Sequence, residues 1–247
     1  TSLKAFMYGI PGSVPSLEDD FLLDLMEAVS ALGPEAVLNV HAENHRLVAR
    51  ATRNLQKRSP WELTVAEWRE AHPTYSEGEA VKRALHLAKA SGVTLYFVHI
   101  SSAETIPIIE SERIAGTHFY AETTSPYLSL STESGIDALY KMVPPVRTES
   151  DRKALWDALK RGQIDTIGTD HTPLTRDQKN PAVNLWETLP GYPAVGTHLP
   201  FLLDGARREK LSIERLVETI STNPARIFGL YPRKGSLLPG ADADLVI

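Results

Sequence analysis

Five short runs rich in Val, Ile, Leu, Phe and Tyr punctuate the chain: Ser2–Tyr8, Ala36–His41, Thr94–His99, His118–Glu122 and Ile164–Thr169. Each has little internal polarity, as expected of strands covered on both faces. Between them, Leu17–Leu32, Ser76–Ser91, Ala103–Ile114 and Glu149–Arg161 space their apolar residues as amphipathic helices do. Ser76 with Glu79 reads as a capping box opening the second of these, and Gly92 as its stop. Pro144-Pro145 precedes the last and cannot be helix interior. Repeated β–α units predict a parallel sheet under helical cover, open or closed into a barrel. Beyond residue 169 the pattern changes. Asp170–Pro193 is loop-like, Thr197–Arg208 and Ser212–Ser221 are helical, and Asn223–Gly229 adds a further turn. From Lys234, with Gly235, Pro239, Gly240 and the apolar run Leu245–Ile247, the sequence reads as the start of a β-structured region.

Composition narrows the classes. The 247 residues contain no Cys, which excludes disulfides, thiolate zinc sites and cysteine nucleophiles and fits a reducing compartment. A formal charge of −5 with no Lys/Arg block argues against nucleic acid as a partner. No apolar run approaches the ~20 residues that a membrane span requires. The chain opens at Thr1 before an apolar stretch and stops at Ile247 inside another. It reads as the interior of a longer protein, with any targeting segment outside it.

The chemistry lies in what ends the strands. Val37-Leu38-Asn39-Val40 runs into His41, Leu95-Tyr96-Phe97-Val98 into His99, and Ile167-Gly168-Thr169 into Asp170-His171. Polar groups at the C-terminal ends of parallel strands stand where βα loops converge on a site. One such His is most simply a satisfied core or loop residue, but two His and an Asp at equivalent strand ends form a candidate ligand cluster. Lys4 interrupts the apolar run Ser2–Met7. Alone it reads as a strand-edge lysine reaching solvent. Inside a barrel mouth it would be neutral or paired, and a neutral amine can take up carbon dioxide to become a bridging carbamate. Glu43, Asn44 and His45 are weaker candidates: His41 and His45 have a spacing that could share one helical face, but H-E-x-x-H is not matched. His72, His86, His118 and His198 read as structural or surface residues, and the charge groups 151–153 and 207–210 as solvated helix faces. Gly9 and Gly12 do not make a phosphate loop.

The stretches SLKAFMYG, VLNVHAENH, EGEAVKRALHLA, LYFVHISSAE, YAETTSPYL, KMVPPVRTESDRKALWDALKRGQIDTIGTDHTP and LLPGADADLVI occur in an order that resembles the cyclic-amide hydrolases of the amidohydrolase superfamily. These are hydantoinases/dihydropyrimidinases, allantoinases and dihydroorotases. The resemblance implies a (β/α)8 TIM-type barrel, of which residues 1–233 would hold about strands 4–8. Residues 234–247 would begin a flanking β-sandwich. It also implies two divalent metals, usually zinc, bridged by carboxylated Lys4. His41, His99 and Asp170 would be further ligands, and Asp170 also the general base. The family's first-strand His-x-His pair does not occur in this chain. Tyr8 would serve the oxyanion, with Val143 and Leu174 beside the substrate. Tyr8 lies four residues past Lys4, where hydantoinases place a Tyr five past, and Val143 stands where Ser or Asn is usual. Leu174 replaces the second His of the dihydroorotase run Asp-His-Ala-Pro-His, and Gln178-Lys179 is similar to hydantoinases. The implied activity is opening of a hydantoin- or dihydropyrimidine-like ring by a metal-bridging hydroxide. The implied setting is a cytoplasmic homo-oligomer, dimer or tetramer, acting on a small cyclic ureide or imide. Allantoinase and dihydroorotase are the alternative activities. A non-catalytic dihydropyrimidinase-related scaffold, or a barrel that only binds, is the alternative class.

Overall fold

The computed structural model describes residues 1–10, 14–59, 61, 63–180 and 184–246; Gly12 and Ile247, both used in the sequence reading, lie outside them. Five strands, β1 (Ser2–Phe6), β2 (Val37–His41), β3 (Thr94–Phe97), β4 (Phe119–Thr124) and β5 (Thr166–Gly168), pair in parallel in their order along the chain. Every connection carries helical structure. After β1 comes α1 (Asp19–Ser30); after β2 come α2 (His45–Leu55), α3 (Val65–Ala71) and α4 (Thr74–Ser91). After β3 comes α5 (Ile106–Ile114), and after β4 come α6 (Ser125–Ser129) and α7 (Glu149–Lys160). Beyond β5 lie α8 (Arg176–Lys179), α9 (His198–Glu209), α10 (Ile213–Val217) and α11 (Asn223–Ile227).

Alternation along the strands separates two faces. Leu38, Val40, Leu95 and Phe97 are fully buried and form the main core with Leu22 and Met26 of α1, Leu85 of α4, and Leu155 and Trp156 of α7. The opposite, concave face carries Lys4, Asn39, Tyr96 and Tyr120, which stand level with one another by strand register. The expectation that the strands are apolar on both faces is therefore corrected. One face is polar, and on β1 it lies open, with Ser2 and Lys4 exposed. Val37, Tyr96 and Ile227 close one part of this face, with the Phe228 ring 5.4 Å from that of Tyr96.

The helix signals resolve unevenly. Gly92 ends α4 in the left-handed conformation, as expected of a glycine stop. Ser76 and Glu79 do not form a capping box. The helix starts two residues earlier behind Pro73, the Ser76 hydroxyl donates to the Pro73 carbonyl, and Glu79 instead accepts from Asn44 and Arg83. Thr148 and Asp151 supply the reciprocal cap that opens α7. His41 is the last residue of β2 and His45 the first of α2, so they do not share a helical face. Residues 234–246 make no strand pairing among the described residues; Lys234 reaches back to Asp242 and Asp244.

A second apolar cluster joins Leu55, Leu63, Val65, Trp68 and Leu185, with Val143 and Trp186 against it. Two buried lysines tie its loops together. Lys141 Nζ donates to the carbonyls of Leu185 and Thr188, each at 2.7 Å, and lies 4.2 Å from the centre of the Trp68 ring. Lys179 Nζ donates to the carbonyls of Lys141 and Gly191. Burial, with Lys179 close by, lowers the Lys141 ammonium to about 8.

Candidate functional site

The strand ends bring two imidazoles into contact. His41 closes β2, His99 follows β3 by two residues, and their ring centres are 4.5 Å apart at 73°. Both side chains are buried. His99 and Asp170 each follow their strand in the left-handed region, with φ of 45° and 44°. Such a conformation costs a non-glycine residue on the order of 1–3 kcal/mol and recurs at functional sites. β4 receives the bent segment after β3: the Glu122 carboxylate accepts from the His99 N–H and the Glu122 carbonyl from the Ile100 N–H. Gly168 leaves room for this carboxylate, since a Cβ there would displace the Glu122 side-chain end from its present position.

Behind His41 stands a fully buried carboxylate. Glu43 Oε2 lies 2.7 Å from His41 Nε2, and Oε1 lies 2.9 Å from His72 Nδ1. Burial opposes the charge on Glu43, but the His72 and His41 imidazoles outweigh it and hold the carboxyl well below its usual range. An ionised carboxylate only accepts, so His41 donates from Nε2, and in the neutral imidazole the lone pair is then on Nδ1. Burial, followed by the positive fields of His41 and Lys4, pushes the His99 imidazole well below its ordinary value, so it stays neutral. Asp170 is open to solvent on one side, while the protein packed beneath it raises its carboxyl against the pull of Lys4 and His41. Burial, and next to it the Glu43 charge, raises the Tyr8 hydroxyl to about 12. Its ring lies 5.9 Å from that of His41 and 5.2 Å from that of His72.

Of the residues singled out in the sequence, the structure brings His41, His99 and Tyr8 together. Lys4 and Asp170 lie within electrostatic reach of the imidazoles. Val143 packs on the Trp68 cluster, and Leu174 lies beside Gly191. His72, read as structural or surface, is fully buried and bonded to Glu43. Glu43 was a weak candidate and Glu77 none. Glu77 lies on the apolar stripe of α4 with Ala80, Val81 and Ala84, and a carboxylate placed there was the available signal.

No three His, Cys, Asp or Glu side chains among the described residues converge on a metal-sized position. Two imidazoles do converge, one neutral and the other oriented by a buried carboxylate, which is the donor chemistry of part of a zinc-type site. The residues present fit such a metal as a partial ligand set.

This arrangement gives His99 an acid-sensitive contribution to the stability of the metal-free protein. His99 is held neutral in the fold, whereas its ordinary value is 6.5. Below that value the unfolded chain binds a proton that the folded one resists, so the stability present at neutral pH is lost as pH falls. Glu43, depressed from 4.5, adds a loss of the same sign at lower pH. Glu122, raised by burial to about 7, acts with the opposite sign between about pH 7.5 and 5.5. The His99 contribution is therefore read as a difference: over that interval the urea midpoint should fall more, or rise less, in the wild type than in His99→Gln. The same pH dependence in both proteins would contradict the burial argument.

Comparison with known proteins places this geometry. The pattern of the Amidohydrolase family matches residues 11–247. An L-hydantoinase from Paenarthrobacter aurescens is 33% identical over 242 residues, covering 96% of this chain and 52% of the relative. A dihydroorotase from Halobacterium salinarum is 34% identical over 220 residues, covering 88% of this chain and 48% of the relative. The solved structure of the L-hydantoinase from Arthrobacter aurescens superposes with a TM-score of 0.89 at 31% identity, covering 97% of this chain and 53% of that one. The chain spans about half the length of these relatives. The five-stranded parallel sheet is thus the α/β fold of the hydantoinase barrel, as the repeated β–α units predict. With its fold matched and nearly its whole length covered by that pattern, the chain belongs to the amidohydrolase family.

Proposed function

We propose that this chain forms part of the mouth of a metal-dependent cyclic amidohydrolase that opens a neutral ureide or imide ring. The observation that carries the reading is the contact between His41 and His99 at neighbouring strand ends, with Glu43 leaving Nδ1 of His41 free. His41, His99, Asp170 and Lys4, as a carbamate, would hold two divalent ions, zinc in this proposal; the remaining His-x-His pair would come from an upstream segment of the full-length protein. When bound, such a pair acidifies water and polarises the scissile carbonyl.

The chain's own residues supply the rest. Asp170 accepts the proton of the attacking water and delivers it to the leaving ring nitrogen. Tyr8 is held protonated by burial, so its hydroxyl can donate to the developing oxyanion. The backbone at Val143 and the side chain of Leu174 line the ring's flank. A homo-oligomer working in the cytoplasm completes the proposal. No described helix is long and apolar enough to cross a membrane.

Leu174 bears on which ring is opened. An apolar side chain gives an anionic ring substituent no donor, and burying that carboxylate unpaired costs on the order of several kcal/mol. Each 1.4 kcal/mol of lost transition-state binding is about tenfold in rate. Hydantoin or dihydrouracil should therefore show specificity constants about 100-fold or more above dihydroorotate. Steady-state kinetics of the full-length protein on these rings and allantoin test the reading. Allantoin as the best substrate would favour the allantoinase alternative. Dihydroorotate as the best would overturn the Leu174 argument, and no turnover of any ring by the metal-loaded protein would favour the scaffold alternative.

A further inference from the structure

The second imidazole on Glu43 has no part in the chemistry above. His72 follows α3, is fully buried, and places Nδ1 2.9 Å from the carboxylate oxygen that His41 does not use. Trp68 and Tyr8 pack on its ring with centres at 4.9 and 5.2 Å. Its carbonyl accepts from Arg147 Nη1, Arg147 Nε donates to the Ser101 hydroxyl at 3.1 Å, and that hydroxyl donates to Glu77 at 2.5 Å. The contacts run unbroken from the loop behind His41 to the loop that carries His99.

The last torsion of a glutamate is broad, so a carboxylate held at one oxygen can swing. With His41 as its sole partner, Glu43 would also bury its other oxygen without a donor. His72 occupies that oxygen and fixes the plane of the carboxylate, and the fixed plane sets both the tilt of the His41 ring and which nitrogen carries its hydrogen. We propose that His72 is a positioning residue: through Glu43 it locks His41 in the Nε2–H tautomer, leaving Nδ1 as the ligating atom. This deepens the proposed function and rests on its placing of a metal at His41.

The test uses the full-length protein. In the metal-free form, the ¹⁵N shifts of the His41 ring report its tautomer independently of activity. Wild type should show Nε2–H alone. His72→Phe keeps the ring stack and loses the donor, so it should show a mixture, and His72→Asn, whose amide can donate from nearly the Nδ1 position, should restore the single form. Zn²⁺ titrated against a chelating competitor should bind about 10–100-fold more weakly to His72→Phe, with most of the affinity regained in His72→Asn. Should His72→Phe fail to fold, His72→Leu serves instead: it keeps an apolar filling of the site and loses the donor to Glu43, so a tautomer mixture is expected there too. A pure Nε2–H form in whichever of these two variants folds overturns the proposal. The expected tautomer change in a protein that binds no Zn²⁺ would support the positioning role and overturn the proposed function instead.

Discussion

Lys4→Ala in the full-length protein should abolish metal occupancy and lower kcat/KM by on the order of 10³-fold or more. Lys4 lies on the concave face, two residues below the level of His41 by strand register, with its side chain exposed there. Its charge already acts on His99, Glu122 and Asp170, which places the ammonium among the groups proposed to surround the metals. Because its side chain is exposed and rests only lightly on the Phe6 ring, the fold should change by no more than about 1 kcal/mol. Metal analysis, kinetics and urea denaturation on one sample then separate lost chemistry from lost folding. Acetate or propionate should restore part of the activity by replacing the missing carbamate. A Lys4→Ala protein that retains two metals and full turnover would refute the assignment.

Glu77→Ala should be the more damaging change to the fold. The Glu77 carboxylate accepts from the backbone N–H groups of Ser101 at 3.0 Å and Ser102 at 3.1 Å, from both serine hydroxyls, and from Thr105. The hydroxyls can rotate toward other partners, but the two buried N–H groups cannot. Each unpaired group costs roughly 1–3 kcal/mol, so a loss of about 2–6 kcal/mol is expected from these alone. Ser101 lies two residues beyond His99, so the loop positioning that imidazole should loosen as well. Urea denaturation measures the loss, and the His41–His99 ring contact can be followed by NMR. A destabilisation below about 0.5 kcal/mol would show that the loop holds without its acceptor.

The parts of this fold that were legible in the sequence are those where pattern and position agree. Apolar runs ending in His41, His99 and Asp170 gave the parallel strands and pointed to one end of the sheet, because strand polarity in a β–α repeat fixes where the loops meet. The boundaries moved for local reasons: Thr74 rather than Ser76 opens α4, since Pro73 sets the extended residue before it. What stayed hidden was the polar scaffold beneath the site. Glu43, His72, Arg147 and Glu77 meet only after loops of different length fold over one another, and no sequence spacing encodes that meeting. The polarity of the concave face was missed for a related reason. A run such as Thr94–Phe97 looks apolar because Tyr96 counts as hydrophobic, yet its hydroxyl binds Glu122 and Thr166.

The loop after β5 is held by what its backbone offers as well as by the buried Leu185 side chain. Lys141 and Lys179 grip carbonyl oxygens at Leu185, Thr188 and Gly191, atoms that every residue type possesses. Glu187 and Leu189, between these anchor points, are exposed. Mutational drift can therefore exchange those side chains freely while the loop keeps its course, whereas neither lysine can change without releasing it. The wall beside the mouth is evolvable in its chemistry and fixed in its shape, an arrangement suited to a scaffold whose relatives handle different rings.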